Sequence, residues 1–374
     1  MAGGGRDWRA WRLYGAIVVA TLAATELAAR VYDWSPRSRD AALEDNLGGA
    51  RYGHSSSGYG DLVPAQNGHW TTWFHRPYHV QTNSAGLRNA EEVSDKAFRV
   101  LAVGDSQTFG PFLANEDTWP GWTENYLRQR DGSADRTQVL NAGISGYTIV
   151  DELAYLKDKA VALKPWLVVL AVFENDMYDL LKERNGTRRR PSSSVGSAFA
   201  NIARSIGHNS ALVRLAERAK TRMTFAANDI DYRQRVRGAT GWAPPMSEDP
   251  ELAKRYTAFF GDAVRLLRSH DINLAVIFIP SAESTSPQKP STVEPIIRAA
   301  TAETATPYLD LTAAFRTQSD PVTRLYLLQH SPSGELTGDG HLSREGNAFI
   351  GKTLATWLVD RELVPARKLL GSRH

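Results

Sequence analysis

Between residues 98 and 359, apolar runs of strand length alternate with amphipathic stretches of helix length, and this rhythm constrains the fold most. Residues 99–103 read as a strand and 119–130 as a helix; 138–140 and 149–163 repeat the pair, and a third strand at 167–173 follows Pro165. Further on come a strand at 273–280, a helix at 293–304, a strand at 308–311 and a last helix at 344–359. A strand that leads into a helix cannot fold straight back as a hairpin, so the pattern implies βαβ units on a parallel sheet. In such sheets ligands gather outside the carboxyl ends of the strands, and chemistry is sought there.

Composition narrows the class without naming a function. The chain has 374 residues, 42% hydrophobic and 23% charged, which is ordinary globular usage and excludes collagen, low-complexity polymers and full-length disorder. Its formal net charge of +3, from 44 basic and 41 acidic residues, gives no reason to expect nucleic acid as a partner. There is no cysteine, so disulfides, thiolate metal sites, c-type haem attachment and a cysteine nucleophile are all excluded.

Two stretches depart from these averages. Arg6, Arg9 and Arg12 precede an almost wholly apolar run at 13–29 in which Glu26 is the only charge. The basic flank orients such a run with its N-terminus in the cytoplasm. Residues 1–31 therefore read as a cytoplasmic stub and an uncleaved, single-pass anchor in the inner (cytoplasmic) membrane, with the rest of the chain on the extracytoplasmic side. A cleavable signal peptide and an ordinary buried helix are the alternatives. Glu26 is placed to pair with Arg30 at i+4. The second departure is an insertion at 182–237, with thirteen basic and four acidic side chains; the remainder of the chain carries about −6. Residues 188–194 read as a loop and 211–223 as a helix. Such a charge run is either a solvated face, a cap over the site, or a surface for anionic glycan or lipid headgroups. Residues 185–187 form a glycosylation sequon, meaningful only in a eukaryotic secretory route. Residues 32–97 show no long period and read as an irregular, surface-packed lead-in with short strands.

Four segments beyond strand ends or before the last helix carry chemistry. In Gly104-Asp105-Ser106 a serine stands just past a strand, where it could face the groove outside the sheet or simply cap a helix. Asn141-Ala142-Gly143-Ile144-Ser145-Gly146 has glycines that allow backbone N–H groups close to a ligand. Phe173-Glu174-Asn175-Asp176 puts a side-chain amide at the same sheet edge, and Asp339-Gly340-His341 precedes the last helix. Ester chemistry needs a nucleophile, a base, a group to orient the base and donors for the oxyanion, and these segments supply all four. No metal is required, no ligand cluster is evident, and no cofactor is expected.

Residues 98–359 resemble the SGNH (GDSL) hydrolases in carrying these four segments in this order. The resemblance implies a three-layer α/β/α, flavodoxin-like fold over residues 98–374 with a parallel sheet. It implies Ser106 as nucleophile, His341 as base and Asp339 as its orienter, with the Ser106 and Gly146 amides and the Asn175 side chain as oxyanion donors; Gly143 is the alternative to Gly146. Phe173 stands where the family usually has glycine, and the acid lies two residues before the histidine instead of three, leaving Gly338 at the common acid position. The shorter spacing resembles membrane-linked members that acetylate exopolysaccharides, and residues 81–88 resemble the lead-in of anchored bacterial members. The implied function is a serine esterase for small acyl esters, with acetyl groups of cell-surface glycan as candidate substrate. A glycan O-acetyltransferase using the same residues and a non-catalytic envelope scaffold that binds glycan are the alternatives.

Overall fold

The computed structural model describes residues 8–33, 52–54, 60–62, 64–70, 78–131, 137–145, 147–177, 250–330 and 336–364. Two compact units divide the chain, Leu47–Arg189 with Ala243–His374, and Met1–Asn46 with Arg190–Trp242. The described part of the second unit is one helix, Trp8–Asp33 (α1). Its 26 residues reach about 39 Å at 1.5 Å per residue, and the stretch Trp11–Val31 is long and apolar enough to cross a membrane. Two of its hydroxyls and one charge pair are satisfied within the helix. The Thr21 and Thr25 hydroxyls donate to the carbonyls of Ile17 and Thr21, and Arg30 Nε meets Glu26 Oε1 at 2.9 Å, as the i+4 spacing predicts. The insertion at 182–237, with its sequon and basic cluster, lies outside the described residues.

In the larger unit two short antiparallel pairs come first: Tyr52–His54 (β1) with Gly60–Leu62 (β2), and Asn67–Trp70 (β3) with Tyr78–Gln81 (β4). The parallel sheet follows, made of Phe98–Gly104 (β5), Thr137–Gly143 (β6), Leu167–Val172 (β7), Asn273–Phe278 (β8) and Tyr308–Asp310 (β9). Its strand order is β6-β5-β7-β8-β9, all parallel, which is the flavodoxin-like order in which the first strand lies between the second and third. The order therefore reverses at β5, so the crevice at the carboxyl end of that strand is a topological switch point.

Successive residues of the central strands enter different cores. Leu101, Val103, Val168, Leu170 and Val276 join one apolar cluster, while Val100, Ala102, Val169, Ala171 and Ile277 join the other. A strand buried on both faces needs a helix layer on each, since every fully buried Val or Leu stabilises by about 1.5–3 kcal/mol. The first face is covered by Ile149–Tyr155 (α4), Pro250–Arg268 (α6) and Glu294–Glu303 (α7); the second is covered by Trp119–Asp131 (α3) and Arg344–Asp360 (α10). Helix α6 is not anticipated above, although Leu252, Tyr256, Phe260, Ala263, Val264 and Leu267 recur at helical spacing and are all buried. The helix expected at 149–163 is interrupted by a π turn at Leu156–Ala160 before Val161–Leu163 (α5). Shorter helices are Ser106–Phe109 (α2), Thr312–Arg316 (α8) and Pro321–Leu325 (α9).

The lead-in has the expected short strands, but it is not merely laid on the surface. Leu62, Val80 and Leu87 are buried in the same cluster as Leu101 and Phe109, and Asp61 is ion-paired to Lys159 of the π turn. Apolar residues spaced without a period gave no sign that they complete a core whose main layers lie elsewhere in the sequence.

Candidate active site

Strand β5 ends at Gly104, and the chain turns at once into α2. The residue that caps this helix is Asp105, whose carboxylate accepts the Gln107 N–H at 2.8 Å. Ser106 is thus not the cap. It is the first residue of the helix, half-buried, with its N–H outside the intrahelical ladder. Its Oγ lies 2.9 Å from His341 Nε2, within hydrogen-bond distance across 235 residues of sequence. A longer contact of 3.4 Å runs from Ser106 Oγ to Asp105 Oδ2.

His341 does not sit in a loop before the last helix, as the sequence suggested. It belongs to Leu336–Leu342 (β11), which pairs antiparallel with Tyr326–His330 (β10) outside the parallel sheet. Tyr326 faces Leu342 but Leu327 faces Asp339, so Gly340 and His341 are extra residues on β11 and form a bulge. Bulges bend a strand and re-aim a side chain, and here the re-aimed residue is the histidine that reaches Ser106. Gln107 clasps the bulge from below. Its Oε1 accepts the Leu342 N–H at 3.1 Å and its Nε2 approaches the Gly340 carbonyl at 3.4 Å, one bond on either side of His341. Phe112 holds the ring from another direction, edge-on with centroids 5.8 Å apart. Neither Gln107 nor Phe112 stands out in the sequence. The only hint was that Gln107 directly follows the serine.

Helix α2 can lie this close to the sheet because of Gly143 at the end of β6. A Cβ there would fall 2.2 Å from Phe109 N and 2.5 Å from Thr108 C, both backbone atoms, so any side chain would push the helix away. The Gly143 N–H donates to Asn141 Oδ1 at 2.9 Å, which commits it to the turn and leaves it a poor alternative oxyanion donor. Asn141 also donates to the Thr108 carbonyl at 3.1 Å, tying β6 to α2 a second time. Asn175 lies in the 3-10 turn Glu174–Met177 just beyond β7, at the same edge of the sheet. That turn is fixed by Asp176, whose carboxylate accepts the Phe173 N–H at 2.7 Å. Gly146 and the side chains of Asn175 and Asp339 lie outside the described residues.

One buried acid flanks this arrangement. Glu152 of α4 is fully buried, and neither carboxylate oxygen has a hydrogen-bond partner among the described residues. Burial above all, with the charges of Asp105 and Asp151, pushes its carboxyl well above the usual range. Among the described residues no group of three or more His, Asp or Glu side chains is placed to hold a metal.

The chain is similar to known proteins. The GDSL-like lipase/acylhydrolase family model matches residues 102–349. Similar solved structures include an acetyl xylan esterase (18% identity over 70% of this chain and 98% of that one, TM-score 0.39). Others are the lipase/acylhydrolase of Enterococcus faecalis (14% over 70% and 96%, TM-score 0.40) and the psychrotrophic esterase EstA of a Pseudoalteromonas species (12% over 71% and 100%, TM-score 0.39). No curated protein matches the chain. Because the family match covers more than half of the chain and takes in both Ser106 and His341, this protein belongs to the GDSL-like lipase/acylhydrolases and is a hydrolase of carboxylic ester bonds.

Proposed function

We propose that the protein is a serine acylhydrolase that works through an acyl-enzyme on small acyl esters, acetyl groups of cell-surface glycan among them. The observation that carries this reading is the 2.9 Å contact between Ser106 Oγ and His341 Nε2 at the switch point of the sheet. Ser106 Oγ attacks the acyl carbonyl carbon as His341 Nε2 takes its proton. The negative charge that develops on the carbonyl oxygen is met by the Ser106 and Gly146 amides and the Asn175 side chain, and Asp339 stabilises the imidazolium. Collapse breaks the bond to the alcohol, which leaves with the proton from His341. Water, deprotonated by the same histidine, then releases the acid and restores Ser106. If a sugar hydroxyl takes the place of water, the same residues transfer the acyl group instead.

The anchor belongs to the same proposal. The large apolar side chains of α1 are exposed along its length, from Trp11 at 71% to Val31 at 66%, while its Thr21 and Thr25 hydroxyls and its Glu26–Arg30 pair are satisfied internally. A membrane is the solvent that suits such a helix, and the arginines before it support a topology with the hydrolase unit outside the cytoplasm.

The full chain in detergent, assayed on nitrophenyl acetate, tests the chemistry. Turnover should disappear in Ser106→Ala and in His341→Ala while folding is retained. Undiminished turnover in Ser106→Ala would sink the reading. Glycan binding with no turnover even in the wild-type chain would favour the scaffold, and acyl transfer to an oligosaccharide in preference to water would favour the transferase.

A further inference from the structure

We propose that Arg88 is a positioning residue for the Ser106–His341 pair, and that the lead-in exists in part to deliver it; this rests on the reading of that pair given above. Arg88 lies 24 residues and one strand away from His341's neighbour Phe112 in sequence, yet it is 1% exposed and buried against the nucleophile helix. Its guanidinium donates to the carbonyls of Phe109, Gly110 (2.7 Å) and Leu113. The first of these ends α2 and the second belongs to its C-cap, where carbonyls have no intrahelical partner. With Gly110 N–H on the Ser106 carbonyl and Asn141 on the Thr108 carbonyl, the C-terminal end of the helix is pinned. A helix of four residues cannot hold itself, because it lacks the length to repay nucleation, so the position of Ser106 depends on the external bonds from Arg88 and Asn141.

The same guanidinium governs the histidine. Phe112 lies between the Gly110 and Leu113 carbonyls that Arg88 grips, and its backbone is left-handed at φ 70°, a conformation that costs a non-glycine residue of order 1 kcal/mol or more. That conformation lays the Phe112 ring edge-on against His341. A planar fork that reaches several carbonyls at once can hold such a turn; an ammonium on a flexible stem cannot. Arg88 also stacks over the Phe109 ring, 4.3 Å from its centroid, which fixes the plane of the fork.

Its own approach is equally constrained. Asn83 Oδ1 accepts the N–H groups of Ala85 (3.1 Å) and Leu87 (3.0 Å), closing a tight loop. Gly86 in that loop has φ +74° and sits where a Cβ would come 2.9 Å from the Leu62 carbonyl. The Arg88 N–H then bonds the Asn141 carbonyl at 2.8 Å, so the residue is registered directly against β6. The segment 82–88 thereby acts as a brace whose working end is the guanidinium.

The full chain in detergent tests this with Arg88→Lys and Phe112→Ala beside Ser106→Ala. Arg88→Lys keeps the charge and should fold, but its kcat on nitrophenyl acetate should fall roughly 10- to 100-fold with KM nearly unchanged, as for a misplaced reacting pair. Labelling of Ser106 by a fluorophosphonate should slow by a similar factor. Phe112→Ala leaves the fork intact and relieves no charge, yet should lower kcat in the same way. In Arg88→Ala, added guanidinium ion should restore kcat. Wild-type kcat and labelling in folded Arg88→Lys would overturn the proposal, as would guanidinium that restores the melting temperature but not kcat. Should the Arg88 variants not fold, unchanged kcat in Phe112→Ala overturns it. Turnover that survives Ser106→Ala would instead refute the chemistry on which it rests.

Discussion

Replacing Glu124 by glutamine should alter how stability depends on pH. Glu124 sits on α3 with its side chain 18% exposed; its Oε2 accepts the Val139 N–H at 2.6 Å and Arg128 Nη1 lies 3.2 Å from Oε1. Burial outweighs these favourable contacts and raises its carboxyl from 4.5 to about 7. Below pH 4.5 the group is protonated in both folded and unfolded chains and contributes no pH dependence. Between about 4.5 and 7 the unfolded chain has released the proton and the folded chain has not, so stability declines as pH rises. The loss is complete above about 7. At 1.36 kcal/mol per unit, a shift of this size corresponds to a loss of order 3 kcal/mol. Glutamine keeps an acceptor for the Val139 amide and does not titrate. Urea unfolding of both proteins from pH 4 to 8 should therefore show the variant gaining on the wild type by that order across the interval. The attraction of Arg128 for the ionised carboxylate is already contained in the raised pKa and adds nothing separate to the slope. A difference in stability that is flat with pH would refute the reasoning.

Two further outcomes follow from the structure. Gln107→Leu removes the acceptor of the Leu342 N–H and leaves that amide unpaired, which should destabilise by about 1–3 kcal/mol in urea titrations and lower kcat, because the bulge bearing His341 loses its clasp. Alkaline carbonate washing of membranes should leave the chain in the pellet if α1 spans the bilayer, and a hydrolase unit released into the supernatant would refute the anchor.

How much of this was legible beforehand depended on the range of the interactions concerned. Strands β5 and β7 were legible to within a residue at each end, because apolar run length is local and reflects burial on both faces of a parallel sheet, whereas the run at 138–140 stops three residues short of the end of β6 at Gly143, where Asn141, Ala142 and Gly143 interrupt the large apolar side chains. Ser106 was legible for the same reason: a strand end, a glycine and the serine lie within three residues. His341 was legible as a residue but not as a place. Its bulge depends on the register between β10 and β11, and no pattern within β11 specifies which two of its residues will be extra. Helix α6 carries its signal only as helical spacing of Leu252, Tyr256, Phe260 and Leu267, with no strand-length apolar run beside it until β8.

The sequence by itself determined the class of the sheet, the place of a serine just beyond β5 and the apolar N-terminal helix, because each follows from side-chain type and near-neighbour spacing. Only the tertiary structure decided that Asp105 and not Ser106 caps α2, that the lead-in enters the core, and that Arg88, Gln107 and Phe112 converge on the Ser106–His341 pair. Those contacts join segments up to 235 residues apart, and their partners are chosen by how the layers pack, which local spacing does not encode.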